Sequence, residues 1–323
     1  MIRYVIRRLL WAVVLFFAIT ILTFTMFYVI PVNPAALAAG KAARPQDIRH
    51  VAHILYLDRP VYIQYLHFID RLVLHFDLGT SFSNRQSVNT IIKSAAPVTA
   101  SVVIGGAILW MMIAIPIGIY SALRPRSKTD RAAMVAVLAG ISAHPVWIGY
   151  MLSLIVGYKL GLLPIQGYCN LRGASPGQDC GGPYDWFMHM ILPWITFAVL
   201  YAAFYVRMIR SNVMETMNED YVRTARAKGA PERVVIVRHA LRNAMLPVVT
   251  MLGMDVAVAL GGAVFVEYVF GLPGLGYWAV NSVFQFDLPI IIGTVLFASI
   301  MVITFNLLVD LLYAWIDPRI RLA

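Results

Sequence analysis

The run from Leu9 to Ile30, which carries no charged side chain, limits this chain more than any other feature. About 20 helical residues rising about 1.5 Å each cover the roughly 30 Å of hydrocarbon in a bilayer. Five further runs have the same character and end at Pro, Gly or charge: Thr99 to Leu123, Ala132 to Gly157, Phe187 to Val206, Met245 to Phe265, and Ile290 to Trp315. The fold class to expect is therefore an all-α polytopic membrane protein with six transmembrane helices. Composition agrees, with 60% hydrophobic and only 13% charged residues and a mean hydropathy of +0.74. The formal charge of +10 points to no nucleic-acid partner, because the chain lacks the polar surface such a binder presents. Lys and Arg in cytoplasmic loops account for it.

Arg3, Arg7 and Arg8 precede the first run, and Ala36-Leu37-Ala38 has the look of a signal-peptide cleavage site. A signal core spans about 7–15 residues, however, whereas this run has the length of a full crossing. It is read as a first transmembrane helix (1–30) with its N-terminus in the cytoplasm. Six crossings return the C-terminus to the same side. The short connections support this topology: Arg124, Arg126, Lys128 and Arg131 fall on the inner side, while no Lys or Arg lies between Glu267 and Pro289 on the outer. The remaining organisation is an extracytoplasmic helical loop (31–97) and a core of five spans (98–323), interrupted by a cytoplasmic loop at 208–245.

That cytoplasmic loop contains the one stretch that looks built for a partner in water, from Asn218 to Pro247. Asn218 can serve as an N-cap, Glu219 and Asp220 place negative charge in a first helical turn, and Arg226 and Lys228 fall in the last. Gly229 tolerates positive φ, and Pro231 stops one helix and suits the start of another near Glu232. The expectation is a short helix lying as a peg across the membrane surface, a tight break, and a second basic helix. A basic amphipathic helix adhering to anionic lipid is the simpler alternative.

The run YVRTARAKG followed by RHALRNAMLPVVT resembles the coupling loop of ABC importer permeases, in the form carried by the dipeptide, oligopeptide and nickel branch. Of that family's general pattern, Glu-Ala-Ala, three residues, then Gly, this chain keeps Ala225 and Gly229. Further matches run along the chain: Pro31 to Ala35; Phe76, Asp77, Leu78, Gly79 and Ser81; Glu267 with Phe270 to Gly276; Asp287, Pro289 and Gly293; Asn306, Asp310, Tyr313 and Asp317-Pro318-Arg319. The resemblance implies a type I ABC importer permease in a bacterial or archaeal plasma (inner) membrane. It implies as partners a second homologous permease subunit, two cytoplasmic ABC ATPase subunits that bind ATP and Mg, and an extracytoplasmic substrate-binding protein. This chain itself would hold no cofactor. Glu219, Asp220, Tyr221, Arg223, Thr224, Ala225, Arg226, Lys228 and Gly229 would form the ATPase-coupling segment. The cargo implied is di- or oligopeptides, with nickel or a nickel chelate as the alternative.

Other residues carry two readings each. In the outer loop, Ile48, Val51, Ile54 and Leu55 mark one helical face, and a second amphipathic helix follows; the pair either contacts a binding protein or caps the vestibule. His50, His53, His67 and His75 have a helical spacing that could serve a metal, yet no Cys or carboxylate ligand pattern accompanies them, so no metal site is assigned. Ser142, His144 and Pro145 partly match the family pattern in the third span, as pore wall or packing kink. Cys169 and Cys180, the only cysteines, share one outer loop and read as a disulfide, with two free thiols as the alternative. Asp255 lies deep in the fifth span and either lines a translocation path or bonds to a neighbouring helix.

No G-x-x-x-x-G-K-[ST] stretch cradles nucleotide phosphates here, so energy must come from another chain. Nor is there an H-E-x-x-H helix, which leaves an intramembrane hydrolase, the other function class considered, with little basis.

Overall fold

The structure, a computed structural model, describes residues 2–26, 34–39, 43–54, 56–173 and 180–316, without the side chains of 2–5, 34, 37 and 310–316. The expectations at Leu55, at 27–33 and at Asp317-Pro318-Arg319, and the side chains of Asp310 and Tyr313, lie outside the described residues. The regular elements among the described residues are helical. In chain order they are α1 (Ile2–Phe24), α2 (Pro34–Ala39), α3 (Pro45–Ile54), α4 (Val61–Leu74), α5 (Val88–Leu123), α6 (Lys128–Ser142) and α7 (Pro145–Leu152), which continues as π-helical turns (Ser153–Lys159). The chain proceeds through α8 (Pro183–Met217), α9 (Asp220–Ala227), α10 (Glu232–Val234), π-helical turns (Val235–Leu241), α11 (Arg242–Ala244), α12 (Leu246–Leu260), α13 (Val264–Val269), α14 (Leu275–Gln285) and α15 (Leu288–Ile316).

By length and composition α1, α5, α8 and α15 can each cross a membrane, and the count rises from 4 to 6 if two bent pairs are each one span. Much of α1 presents its apolar side chains outward, Leu10 and Trp11 among them, as a helix facing lipid does. At 36 and 35 residues, α5 and α8 are each about 53 Å long, far more than the roughly 30 Å of hydrocarbon. Their ends must therefore project beyond it.

Two compact units divide the chain, one comprising 1–99, 257–264 and 273–323, the other 100–256 and 265–272. In the second unit α5 and α8 approach closely because α5 is glycine at the contact: a Cβ at Gly105 would lie 2.2 Å from the Trp194 ring, and one at Gly118 2.8 Å from Ile209. Trp194 Nε1 donates to the Ser101 carbonyl at 2.9 Å across the same seam. The expected third span is bent by 100° between α6 and α7. Pro145, read from sequence as pore wall or packing kink, is not a kink inside a continuous helix but the first residue of α7, where its missing N–H costs nothing.

In the first unit α1 packs on α4 and α15, and Thr20 bonds Tyr65 at 3.0 Å. Leu72 from α4 joins Leu288, Ile292 and Leu296 in a buried cluster. A tight loop at 79–88 closes on itself through Ser81 N–H to the Gln86 carbonyl (2.8 Å) and Val88 N–H to the Gly79 carbonyl (3.0 Å). Asp287, fully buried just before α15, pins that loop. Its carboxylate accepts from the Ser81 and Ser83 hydroxyls and from the Phe82 and Ser83 amides at 3.1 and 3.0 Å.

Burial alone would raise the pKa of Asp287, but the two hydroxyls and two amides hold it below the usual carboxylate value. A depressed folded pKa means that the contribution to stability is complete above the unfolded value, about 4, and is lost as pH falls through the folded one. Protection of the Phe82 and Ser83 amides, taken relative to their intrinsic exchange rate at each pH, should therefore be high at neutral pH and fall in acid. Asp287→Asn should exchange faster at neutral pH and lose most of that acid dependence. Equal protection in the two proteins at neutral pH would contradict the pinning role.

Candidate coupling site

The peg expected from the sequence forms as α9, about 12 Å long at eight residues. Its N-cap is Glu219 rather than Asn218. Asn218 instead ends α8 as its C-cap, and its side-chain amide donates back to the Met214 carbonyl at 2.9 Å. The preceding helix thus takes the asparagine that the local pattern offered to the next one. Only the turn at Asn218 and Glu219 separates α8 from α9, and it is tied down by Asn218 N–H to Glu215 O (3.0 Å) and Glu219 N–H to Thr216 O (3.2 Å).

One face of α9 is seated and the other is free. Val222 and Ala225 are buried against Val235 and Ala230, and a fully buried Val contributes about 1.5–3 kcal/mol. Tyr221, Arg223, Thr224, Arg226 and Lys228 remain exposed. The Arg226 guanidinium forks onto the Glu232 carboxylate at 3.1 and 2.7 Å, closing the turn between α9 and α10. Asp220 and Arg223 approach to 3.7 Å in the open. Such solvated pairs add little, so hydrophobic seating holds α9 in place and the ion pairs mainly set its orientation. Ala225 belongs to the seat, which leaves the other expected coupling residues exposed.

At the break, Gly229 has φ +78°, its N–H bonds the Arg226 carbonyl at 2.9 Å, and Ala230 N–H reaches the Ala225 carbonyl at 3.3 Å. An added Cβ would meet nothing within 4 Å. The requirement for glycine is therefore one of backbone conformation rather than space.

The other expected site residues do not converge on α9. His144 caps α7, its Nδ1 accepting from Val146 N–H at 3.3 Å, and its ring meets Phe265 edge-on at 5.4 Å. Ser142 donates to the Leu138 carbonyl within its own helix. Asp255 accepts from the Tyr205 hydroxyl at 2.6 Å, joining α12 to α8, so the neighbouring-helix bond weighed for it is present. Tyr205 itself is buried in a cluster with Trp110 and Phe204. Cys169 and Cys180 are joined, with Cα atoms 5.6 Å apart, and His189 lies 3.4 Å from the Cys169 sulfur. The histidines in and around α3 and α4 are dispersed: His53 bonds Asp58, His67 lies against the Tyr56 ring, and His75 faces Asp70.

Sequence reasoning missed one group altogether. Asp130, buried at the start of α6, receives the fork of Arg210 on α8 at 2.7 and 2.9 Å. It also accepts from the Ser121 hydroxyl on α5 and the Arg126 amide at 2.9 Å. A short Ser-x-x-Asp signal marks the helix start, Ser127 accepting from the Asp130 amide, but nothing local names Arg210.

Substitution at Gly229 should follow backbone tolerance. Gly229→Asn should be nearly neutral, Gly229→Ala should cost about 1–2 kcal/mol, and Gly229→Val more because it is β-branched. In the assembled transporter, coupling of ATP hydrolysis to transport should fall in that order while the chain still inserts. Normal coupling in Gly229→Val would overturn the reading of the break.

Comparison with known proteins identifies the family. Residues 114–322 match the family described as binding-protein-dependent transport system inner membrane component, and residues 1–103 match the N-terminal region of such membrane components. The chain is 38% identical over 338 aligned positions to the dipeptide transport system permease protein DppB of Escherichia coli, covering 99% of each. It is 36% identical over 322 positions to the oligopeptide transport system permease protein AppB of Bacillus subtilis, covering 99% of this chain and 100% of that protein. The chain belongs to the binding-protein-dependent transport system inner membrane component family: it is a multi-pass, non-catalytic inner-membrane permease component of an ABC importer, whose ATPase is a separate subunit.

Proposed function

We propose that this permease moves di- or oligopeptides delivered by an extracytoplasmic binding protein. One observation carries the reading: likeness to permeases named for dipeptide and oligopeptide transport extends over 99% of this chain, with the coupling loop included. Nickel or a nickel chelate, the other cargo of the branch, has no comparable support here. The working assembly would contain a second homologous permease subunit and two ATPase subunits that bind ATP and Mg. Both termini would be cytoplasmic, residues 31–97 would lie outside, and 208–245 would face the ATPases. Closure of the ATPase pair would push on the free face of α9, and the attached helices would rock between inward-open and outward-open states.

Asp255 fits a place on the path. It is the tenth residue of α12, about 14 Å from that helix's start, and it is only partly buried. An ionisable group at such depth is costly facing lipid and normally meets a partner or water. Tyr205 occupies one carboxylate oxygen and leaves the other to attract a cationic group such as a peptide amino terminus. Ser142, His144 and Pro145, at the bend between α6 and α7, are assigned to the same path.

In liposomes holding the complete transporter, uptake of labelled di- and oligopeptides should stimulate ATP hydrolysis and nickel should not; the opposite preference would overturn the cargo assignment. Asp255→Asn should lower uptake of peptides with a free amino terminus by roughly ten-fold and spare N-acetylated ones that are still carried. Equal loss for both would remove Asp255 from the path.

A further inference from the structure

Asp130 and Arg210 form a buried joint about two turns before the end of α8. Arg210 lies within the last two turns of α8, which ends at Met217. From there the hydrogen-bonded turn at Asn218 and Glu219 leads directly into α9. Displacement of α9 is therefore delivered to Arg210 along a short, continuous stretch of helix. The side chain of Asp130 is only 4% exposed and that of Arg210 24%. Both carboxylate oxygens are engaged: Oδ1 by Arg210 Nε and Ser121, Oδ2 by the second Arg210 nitrogen and the Arg126 amide.

These donors come from α8, the end of α5 and the turn into α6. That turn is already constrained, since Arg126 holds φ +64°, a region unfavourable for a residue with a side chain. Ser127 caps α6 by accepting from the Asp130 amide at 3.1 Å. A bidentate Arg–carboxylate pair resists both sliding and rotation in a way that a single contact cannot. In a seam packed through Gly118 against Ile209, movement of α8 must carry the α5–α6 turn with it or break the fork.

We propose that Asp130 and Arg210 are positioning residues for transport: the fork transmits the displacement of α9 from the end of α8 to α5 and α6. The inference rests on the reading of this chain as an ATP-driven importer permease. Loss of the fork should let the ATPases cycle without moving the transmembrane helices in step. The quantity affected is peptide transported per ATP hydrolysed rather than hydrolysis itself.

The test uses the complete transporter in peptide-loaded assays, with uptake and phosphate release measured in the same vesicles. Asp130→Asn keeps the volume and removes the charge that holds the fork. Uptake per ATP should fall about five-fold or more at unchanged basal hydrolysis and complex yield, and Asp130→Glu should recover part of it. A merely structural role would lower yield, uptake and hydrolysis together and leave the ratio at the wild-type value, which would overturn the proposal. Should Asp130→Asn fail to assemble, Ser121→Ala decides, since it removes one donor and keeps the ion pair: a reduced ratio supports the joint and an unchanged ratio refutes it. Failure of the wild-type complex to transport at all would instead sink the importer reading.

Discussion

Hydrocarbon offers a backbone no hydrogen-bonding partner, and the architecture of this chain depends on that constraint. Each crossing must satisfy its own amides, so helices fill the apolar runs, and departures from regular helix are confined to places where another group takes over. At the bend after Ser142, the His144 ring accepts an amide of the new helix and Pro145 has none to offer. After the fifth span begins, Asp255 finds the Tyr205 hydroxyl. In the first turn of α6, Asp130 gathers donors from three segments. His144, Asp255 and Asp130 each have a partner fixed by the fold.

The same economy explains how a short helix can serve as a point of force. Eight residues make too little helix to persist alone in water, so α9 exists because Val222 and Ala225 are buried under it and because the chain is bound on both sides. Upstream, a hydrogen-bonded turn ties it to α8; downstream, Gly229 adopts φ +78° and Arg226 reaches over to Glu232. What remains exposed is a polar, mostly basic face on a rigid mount. Surface adhesion to lipid would need no such break or anchorage, whereas a lever needs both.

Much of this was legible in the sequence because it is local. Gly229, Pro231 and the charges flanking them specify the break between α9 and α10, since caps and turns depend on immediate neighbours. Apolar length is likewise local, and among the described residues it corresponds to four helices long enough to cross a membrane and two bent pairs. Asn218 was assigned to the wrong helix because cap preference does not reveal how far α8 extends, and packing carries it to Met217. The contacts that organise the helices against one another were invisible: Asp130 and Arg210 are 80 positions apart, Tyr205 and Asp255 are 50 apart, and Asp287 reaches back 206 to Ser81. Each pairs residue types that are ordinary on their own, and only the fold makes them partners.

The central claim is that the free face of α9 is where ATPase motion enters the membrane helices. Photo-cross-linking side chains placed singly at Tyr221, Arg223 and Thr224, and for comparison at the exposed α4 positions Tyr62 and Leu66, test it most directly in the assembled transporter. The account predicts adducts with the ATPase subunit from the three α9 positions and none from Tyr62 or Leu66. ATPase adducts from the α4 positions, or from none of the five, would contradict it.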